Sequence, residues 1–482
     1  MHRPRTIVTA DPELDDLNSM IRLLLHSNEL RIEGLVYASS RFHWKGDEAG
    51  TTFFHADREY SEPQTSFRWK PGERFIDDAV DAYERVQPTL AVHDPRYPTG
   101  AELRSIVRTG NVDFEGDMST ESPGSQLIAA ALLDDDPEPI HIQVWAGTST
   151  VARALLTIEE RFADSIDWTA IKAEVSRKAI ITKFASQDDT YDAYIRPNWP
   201  GIRVTEAMGM GWGYMIRRVL LPEDRELIGA EWTRQNVITV GPLGALYRVW
   251  GDGIQMVPGD VTDFFHESGK SRDELAAQGY MAWMDPQPKG EWISEGDTLT
   301  MLNVLPNGLR GSEHPSFGGW AGRATRTADG PDTWQVVGSV DAAPDGSTPD
   351  EYSSMRWFAD AQRDFVTRMQ WSVTPRYEDA NHHPVVQVSP GLDLTAAAGA
   401  AVELAAEATD PDGDALAYEW WQYLEAGSCP EAVQLDGSDG PVVSFAVPIG
   451  AESGQTIHLL LRVTDSAAVP LAAYARVIVT VA

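Results

Sequence analysis

The chain reads as a doubly wound, mainly parallel α/β domain followed by an all-β sandwich. Short β-branched apolar runs alternate with helix-period stretches through the first 250 residues, the pattern of strands and helices layered on one sheet. Residues 385–482 hold two arginines and no lysine, and short, evenly spaced apolar runs separated by turn residues replace that alternation, as a sandwich requires. The chain has 482 residues, more than one ordinary core holds. The expected division is an α/β domain over 1–380, with a loop-rich insertion at about 250–350, and a sandwich over 385–482.

The elements follow in order. Thr6-Ile7-Val8-Thr9 suits a buried parallel strand, and Leu17, Met20, Ile21, Leu24 and Leu25 recur at helical spacing after it;. "RIEGLVYASS" (31–40) is the next strand, so the opening is a βαβ unit with a right-handed crossover. "GSQLIAAALLD" (124–134) and "STVARALLTIEERF" (149–162) are predicted helices. "IHIQVWAG" (140–147), "KAIITKF" (178–184) and "GIRVTEA" (201–207) are predicted strands, with "ASQDDTYDAYIRPNWPG" (185–201) as a polar and aromatic loop. Residues 251–300 are rich in Gly, Pro and Asp and predict long loops;. "TLTMLNVL" (298–305) reads as a strand, and "RWFADAQRDFVTRMQW" (356–371) as a helix with Trp357, Phe358, Ala361, Phe365 and Met369 on one face.

In the tail, "VELAAEA", "AYEWWQY", "VVSFAVP", "TIHLLLRVTD" and "ARVIVTVA" are the predicted sandwich strands;. "TDPDGDALAYEWW" resembles the turn and central strand of PKD-like and cadherin-like immunoglobulin-fold modules, with Trp420 or Trp421 as its core. "DPDGD" reads as a solvated hairpin loop in preference to a calcium site.

Composition excludes some partners. A formal net charge of −34 and a pI near 4.6 argue against nucleic-acid phosphate and anionic membrane surfaces;. One cysteine, Cys429, excludes an internal disulfide framework and a cysteine metal cluster;. No apolar run is long enough to span a bilayer, and the start "MHRPRT" has no apolar signal core;. The expectation is a secreted or periplasmic protein whose signal lies outside this sequence, with the cytoplasm kept open.

The first strand ends in "TADPELDD", which places Asp11, Asp15 and Asp16 within six positions. Ligands in open α/β sheets sit beyond the carboxyl ends of the strands. Helix capping explains one such aspartate. Three repel unless a cation or shared protons relieve them, and an all-oxygen set suits calcium or magnesium.

"VTADPELDD" resembles the N-terminal metal motif of nucleoside hydrolases. The wider chain resembles one branch, nucleoside-hydrolase-like proteins with an immunoglobulin-like tail described as cellulose-binding proteins. The landmarks run in order through "RLLLHSNELRIEGLVYASS" (22–40), "SPGSQLIAAAL" (122–132), "VWAGTSTVARAL" (144–155), "SQDDTYDAYIRPNWPGI" (186–202), "GPLGALY" (241–247) and "GDTLTMLNVLPNGLRGSEHPSFGGWAGR" (296–323). The resemblance implies a nucleoside hydrolase-like α/β fold and a calcium ion that grips two sugar hydroxyls and a water. By motif position it makes Asp11 a metal ligand and general base, Asp16 the chelating ligand, and Asp15 a sugar-hydroxyl contact. The segment whose carbonyl reaches calcium in the relatives aligns with Ser149 and Thr150.

The sequence departs from that pattern. Thr9 stands where the first aspartate is expected, and Glu13 replaces a glycine and is expected to face solvent. The late His-Asp motif that supplies a fourth ligand has no clean match. Asn307, as an amide ligand, and Glu313 or His314, as the general acid, are the candidates for the missing groups;. Gln187, Asp188 and Asp189 are candidate sugar contacts, and Trp199, Trp212 and Trp320 are candidate stacking residues.

The function expected is a calcium-dependent, inverting glycosidase cleaving a furanosyl-type bond in an oligo- or polysaccharide. A non-catalytic carbohydrate-binding protein on the same scaffold and a nucleoside N-ribohydrolase are the alternatives. A homo-oligomer is compatible with the resemblance.

Overall fold

The structure is a computed structural model describing residues 2–482. An eight-stranded sheet runs in the order β3-β2-β1-β4-β5-β6-β8-β7. Its strands are β1 (Arg5–Ala10), β2 (Arg31–Tyr37), β3 (Val107–Thr109), β4 (Ile140–Val144), β5 (Ala179–Lys183), β6 (Arg203–Glu206), β7 (Thr325–Arg326) and β8 (Thr333–Gln335). All neighbours pair parallel except the edge pair β7 and β8. Register is set by β1, whose residues are all buried between β2 and β4. Thr9 pairs with both Val36 and Val144. The carboxyl ends of three strands therefore finish level, and the loops after them meet.

Helix α1 (Leu14–Leu25) starts two residues after Pro12, which cannot continue a ladder and ends β1 cleanly;. Its N-cap residue, Glu13, makes no side-chain cap hydrogen bond. Capping therefore does not explain the acid at that position. Eleven of the helix's twelve residues are buried, Arg22 among them. Helix α2 (Phe75–His93) lies outside the elements predicted above; its interior Pro88 reads as a breaker, yet Phe75, Ile76, Val80, Tyr83 and Leu90 bury one face.

Two sequence expectations are corrected. Residues 298–305 are not a strand: a 3-10 turn, Gly296–Thr298, leads into the helix Leu299–Leu302, and 303–305 turn away from it. A run buried on every side shows no period that separates the two states. The 185–201 loop contains a π-helical turn, Tyr191–Ile195.

The tail is a sandwich of a four-stranded and a three-stranded sheet. Trp420, Leu404, Val443, Ile457 and Val477 are among its core residues. Its outer side is not free. Tyr423, Leu460 and Tyr474 belong to the same apolar cluster as Leu309, Trp320 and Trp357 of the α/β domain. Arg476, fully buried, donates to the carbonyls of Leu309 (2.6 Å), Phe317 (2.8 Å) and Gly318 (2.9 Å). Tyr423 and Tyr474 donate to Asp341 and Asp360. A buried cation capping three carbonyls is core chemistry, so the two domains share one interior. Among the described residues no helix is long and apolar enough to cross a membrane.

Candidate metal and sugar site

Asp11 follows the last residue of β1 and is fully buried. Neither of its carboxylate oxygens has a hydrogen-bond partner among the described residues. An unpaired buried carboxylate is costly unless it loses its charge or meets a cation. Around it stand four more acids. Glu13, Asp15 and Asp16 bring one oxygen each within 4.8 Å of one another, and Asp11, Glu13 and His43 do the same with a ring nitrogen. His43 Nδ1 lies 3.3 Å from Asp11 Oδ1 without hydrogen-bond alignment. Asp297, buried, is the fifth acid, and its Oδ1 also has no partner.

The surroundings fix these groups. The Asp11 amide donates to Asp16 Oδ1 (3.0 Å), folding the loop back on itself. Ser294 donates to Asp15 Oδ2 (3.0 Å), and the Tyr214 hydroxyl bridges Glu13 Oε1 (3.2 Å) and Asp15 Oδ1 (3.3 Å). Gly296 lets the turn pass close, since a Cβ there would lie 3.0 Å from Asp15 Oδ2 and 3.0 Å from the Phe184 ring and would press on both. That close pass brings Asp297 to the ring. Arg22, from inside α1, anchors the turn by pairing with Glu295.

Burial, then the Asp15 and Asp11 charges, holds the Glu13 carboxyl well above its ordinary range. Asp16 is pushed well up by burial and then by Asp297 and Asp11, and Asp297 by burial and then Asp15 and Glu13. Asp15 is raised by burial against the opposing Ser294 bond. Without a cation the ring must share protons. Five carboxylates, with orphaned oxygens on Asp11 and Asp297, are a hard-cation donor set;, and the His43 imidazole adds one softer donor.

Beside the ring lies a cleft of about 640 Å³, bordered by Glu13, Asp15, Asp297, Gln187, Tyr214 and Trp283 among others. Gln187 donates from Nε2 to the Trp145 carbonyl (2.5 Å), leaving its buried Oε1 without a partner. That oxygen is available to a ligand hydroxyl.

The sequence-predicted residues divide sharply. Asp11, Asp15, Asp16 and Gln187 meet at this site. Glu13, expected to face solvent, turns inward, its side chain 24% exposed. Asp188 is buried, but its oxygens accept from Thr148 Oγ1, Thr190 N and Oγ1, and Ser149 N, so it holds the loop and has no oxygen left over. Asp189 is 76% exposed beside Arg41. Ser149 opens the helix Ser149–Phe162, with its hydroxyl buried and unpartnered. Thr9 Oγ1 is likewise buried without a partner.

Glu313 and His314 are corrected. Their loop lies at the amino end of β6, whose first residue, Arg203, donates to the Glu313 carbonyl (3.5 Å). Asp11 lies beyond the carboxyl end of β1, at the opposite end of the parallel strands. A five-residue strand spans roughly 16 Å, too far for one sugar bond. Glu313 instead pairs with Arg310 (2.7 Å), and His314 bonds Ser316 (2.7 Å). Asn307 is also elsewhere: its Oδ1 accepts from the Leu309 amide (3.1 Å) beside the domain contact. Trp199, Trp212 and Trp320 are all buried and cannot offer a face to sugar.

His43 and Asp297 escaped the sequence reading. His43 follows β2 in "SSRFHW", where the strand-end rule already points;. Asp297 sits in "SEGDTL", and reading the run after it as a strand misplaced the turn.

Comparison with known proteins agrees with this fold. Residues 5–324 match the family described as "Cellulose-binding Sde182, nucleoside hydrolase-like domain". The chain belongs to the Sde182 family. Residues 401–481 match the C-terminal domain of the cellulose-binding protein Sde0182. Among solved structures, a nucleoside hydrolase-related hypothetical protein from Saccharophagus degradans, described as associated with carbohydrate metabolism, superposes over 100% of both chains with a TM-score of 0.72 at 24% identity. It shares the fold of this Sde182-family chain. The type III effector XopQ complexed with adenosine diphosphate ribose covers 78% of this chain and 95% of its own, at 12% identity and a TM-score of 0.40, too distant to carry an argument. No curated protein matches the chain.

Proposed function

We propose that this Sde182-family chain is a calcium-dependent glycoside hydrolase acting on a furanosyl-type linkage of a saccharide. The observation that carries the reading is Asp11, buried, with both oxygens unpaired inside a ring of carboxylates. Asp11, Asp15, Asp16 and Asp297 are the residues that would hold the ion. A bound calcium supplies charge neutralisation and Lewis-acid polarisation. Asp11 is the base that takes the proton of the attacking water. Asp15, steadied by Ser294 and Tyr214, and Gln187 Oε1 meet the sugar hydroxyls. Glu13, on the border of the cleft beside Asp11 and Asp15, replaces Glu313 as the acid that protonates the leaving oxygen;. Direct attack by a base-activated water inverts the anomeric centre.

The binding-only reading rests on Thr9, whose uncharged, unpartnered hydroxyl stands where the resemblance places an aspartate, and on the family's description as cellulose-binding. A panel of furanosides, nucleosides and cell-wall glycans, assayed with and without EDTA, separates the two. Hydrolysis that EDTA and Asp11→Asn both abolish supports the enzyme. Calcium binding with no cleavage of any panel member supports the binding protein.

A further inference from the structure

The acid ring is bordered on two sides. Besides the 640 Å³ cleft, a second of about 480 Å³ opens onto His43, Arg68, Met256 and Asp263. The two share one border of four residues: Glu13, Phe42, Tyr214 and Trp283. Asp15 and Asp297 face only the larger arm, His43 only the smaller, and Glu13 both. Each arm alone is as large as an ordinary small-ligand pocket, about 300–1,000 Å³. A single sugar or nucleoside fills one and leaves the other empty.

Trp283 stands on that shared border and is 45% exposed. Its ring meets Tyr214, Phe264 and Phe265 near-perpendicularly, with centroids 6.0, 5.9 and 6.2 Å away. Tyr214 and Phe265 are themselves stacked at 4.5 Å. Aromatic groups on three neighbouring contacts hold the indole in place while almost half of its surface stays wet. Tyr214 is also the residue that bonds Glu13 and Asp15, so the indole's position is tied to the acids. Exposed Met208 and Met281 extend the apolar lining into the two arms.

The charge of the groove selects the ligand. Glu351, held by the Met210 and Gly211 amides, adds to the acids of the larger arm, Glu206 is paired with Lys183, and the residues bordering that arm include no lysine or arginine among the described residues. In the smaller arm Arg68 is paired with Glu59 and Asp260. Phosphate- or uronate-bearing ligands are repelled. A neutral saccharide fits: its C–H faces suit indole and thioether surfaces, and its hydroxyls suit carboxylates.

We propose that a neutral saccharide chain lies across both arms, with Trp283 stacked under one sugar ring beside the acid centre. This rests on the sugar-site reading above and adds its substrate class, a chain gripped on both sides of the reacting bond instead of a terminal unit. Trp283 takes the stacking role that the buried Trp199, Trp212 and Trp320 cannot.

The test is isothermal titration of the full chain, in calcium, with cellohexaose and α-1,5-arabinohexaose, and with glucose, arabinose and adenosine for comparison. One hexaose binds at least tenfold more tightly than any single-unit ligand. Trp283→Ala weakens it tenfold or more, and Trp283→Phe recovers most of the loss. Calcium titration of each variant reports whether the neighbouring acids are intact. Binding of neither hexaose, equal affinity for single units, or a hexaose affinity unchanged in Trp283→Ala overturns the proposal. A wild type that binds hexaose through Trp283 but never binds calcium keeps the groove and removes the metal-dependent reading, so the two fail separately.

Discussion

Replacing Arg22 by methionine tests how the late turn bearing Asp297 is held to the opening strand. The Arg22 guanidinium pairs with both oxygens of Glu295, donates to Gln362 Oε1 (2.6 Å) and to the Ala361 carbonyl (3.1 Å), and lies 4.0 Å over Phe365 and 4.7 Å over Trp212. Glu295 is fully buried. Removing one partner of such a pair costs about 3–5 kcal/mol, because the other charge stays buried. Glu295 keeps hydroxyl bonds from Tyr247 and Thr298, which places the loss near the lower end, about 3 kcal/mol. An unfolding entropy of about 2.1 cal/mol/K per residue over the 482 residues that share one interior turns this into a Tm lower by about 3 °C;. Differential scanning calorimetry and urea unfolding measure it. Adding Glu295→Gln to Arg22→Met should recover part of the loss, and calcium affinity should fall in the single variant because the Asp297 turn loosens. A loss below about 1 kcal/mol, or a double variant no more stable than the single, refutes the reasoning.

Calcium at a hundred times its dissociation constant should stabilise the protein by about 2.7 kcal/mol; Asp11→Asn should lose that gain in a thermal scan and, in EDTA, be at least as stable as the wild type because an unpaired buried charge is gone. His458, buried beside Arg476, has its pKa lowered to about 3, by desolvation first and Arg476 second. Its neutral form is the folded one, so its stabilisation is complete above an unfolded pKa of about 6.5 and is lost as pH falls toward the folded value, by up to about 1.4 kcal/mol per unit. Urea midpoints at pH 6.5 and 4.5 should differ less in His458→Gln than in the wild type. Truncation after residue 384 uncovers Trp320 and Trp357 and should give an aggregating product by size-exclusion chromatography; a soluble, cooperatively folding fragment contradicts the shared interior. Glu313→Gln should leave calcium affinity unchanged within twofold.

The sequence carried the frame well because its signals are local. The β1–α1–β2 unit, the helix over 149–162 and the strands after 140 and 178 each bury an unmistakable apolar pattern. The first half of the site was equally legible, since Asp11, Asp15 and Asp16 sit within six positions at a strand end. The second half was not. Asp297 joins the ring through a turn almost 300 residues away, admitted by Gly296 and anchored by Arg22, and no local pattern encodes that contact. Glu313 illustrates the converse: a carboxylate and a histidine side by side look catalytic, yet their loop packs against Arg203 at the amino end of β6. Tryptophan count gave no guide either, because the exposed ring, Trp283, lies in the irregular stretch where sequence offers least, while the three singled out fill cores.

The central claim is that the acids at the mouth of β1 form a divalent-cation site. Calorimetric titration of EDTA-stripped protein with calcium chloride tests it most directly. The wild type should take up one ion, and Asp11→Asn should take up none in the same range. No heat of binding in a folded wild type, or an Asp11→Asn isotherm that overlays it, contradicts the account.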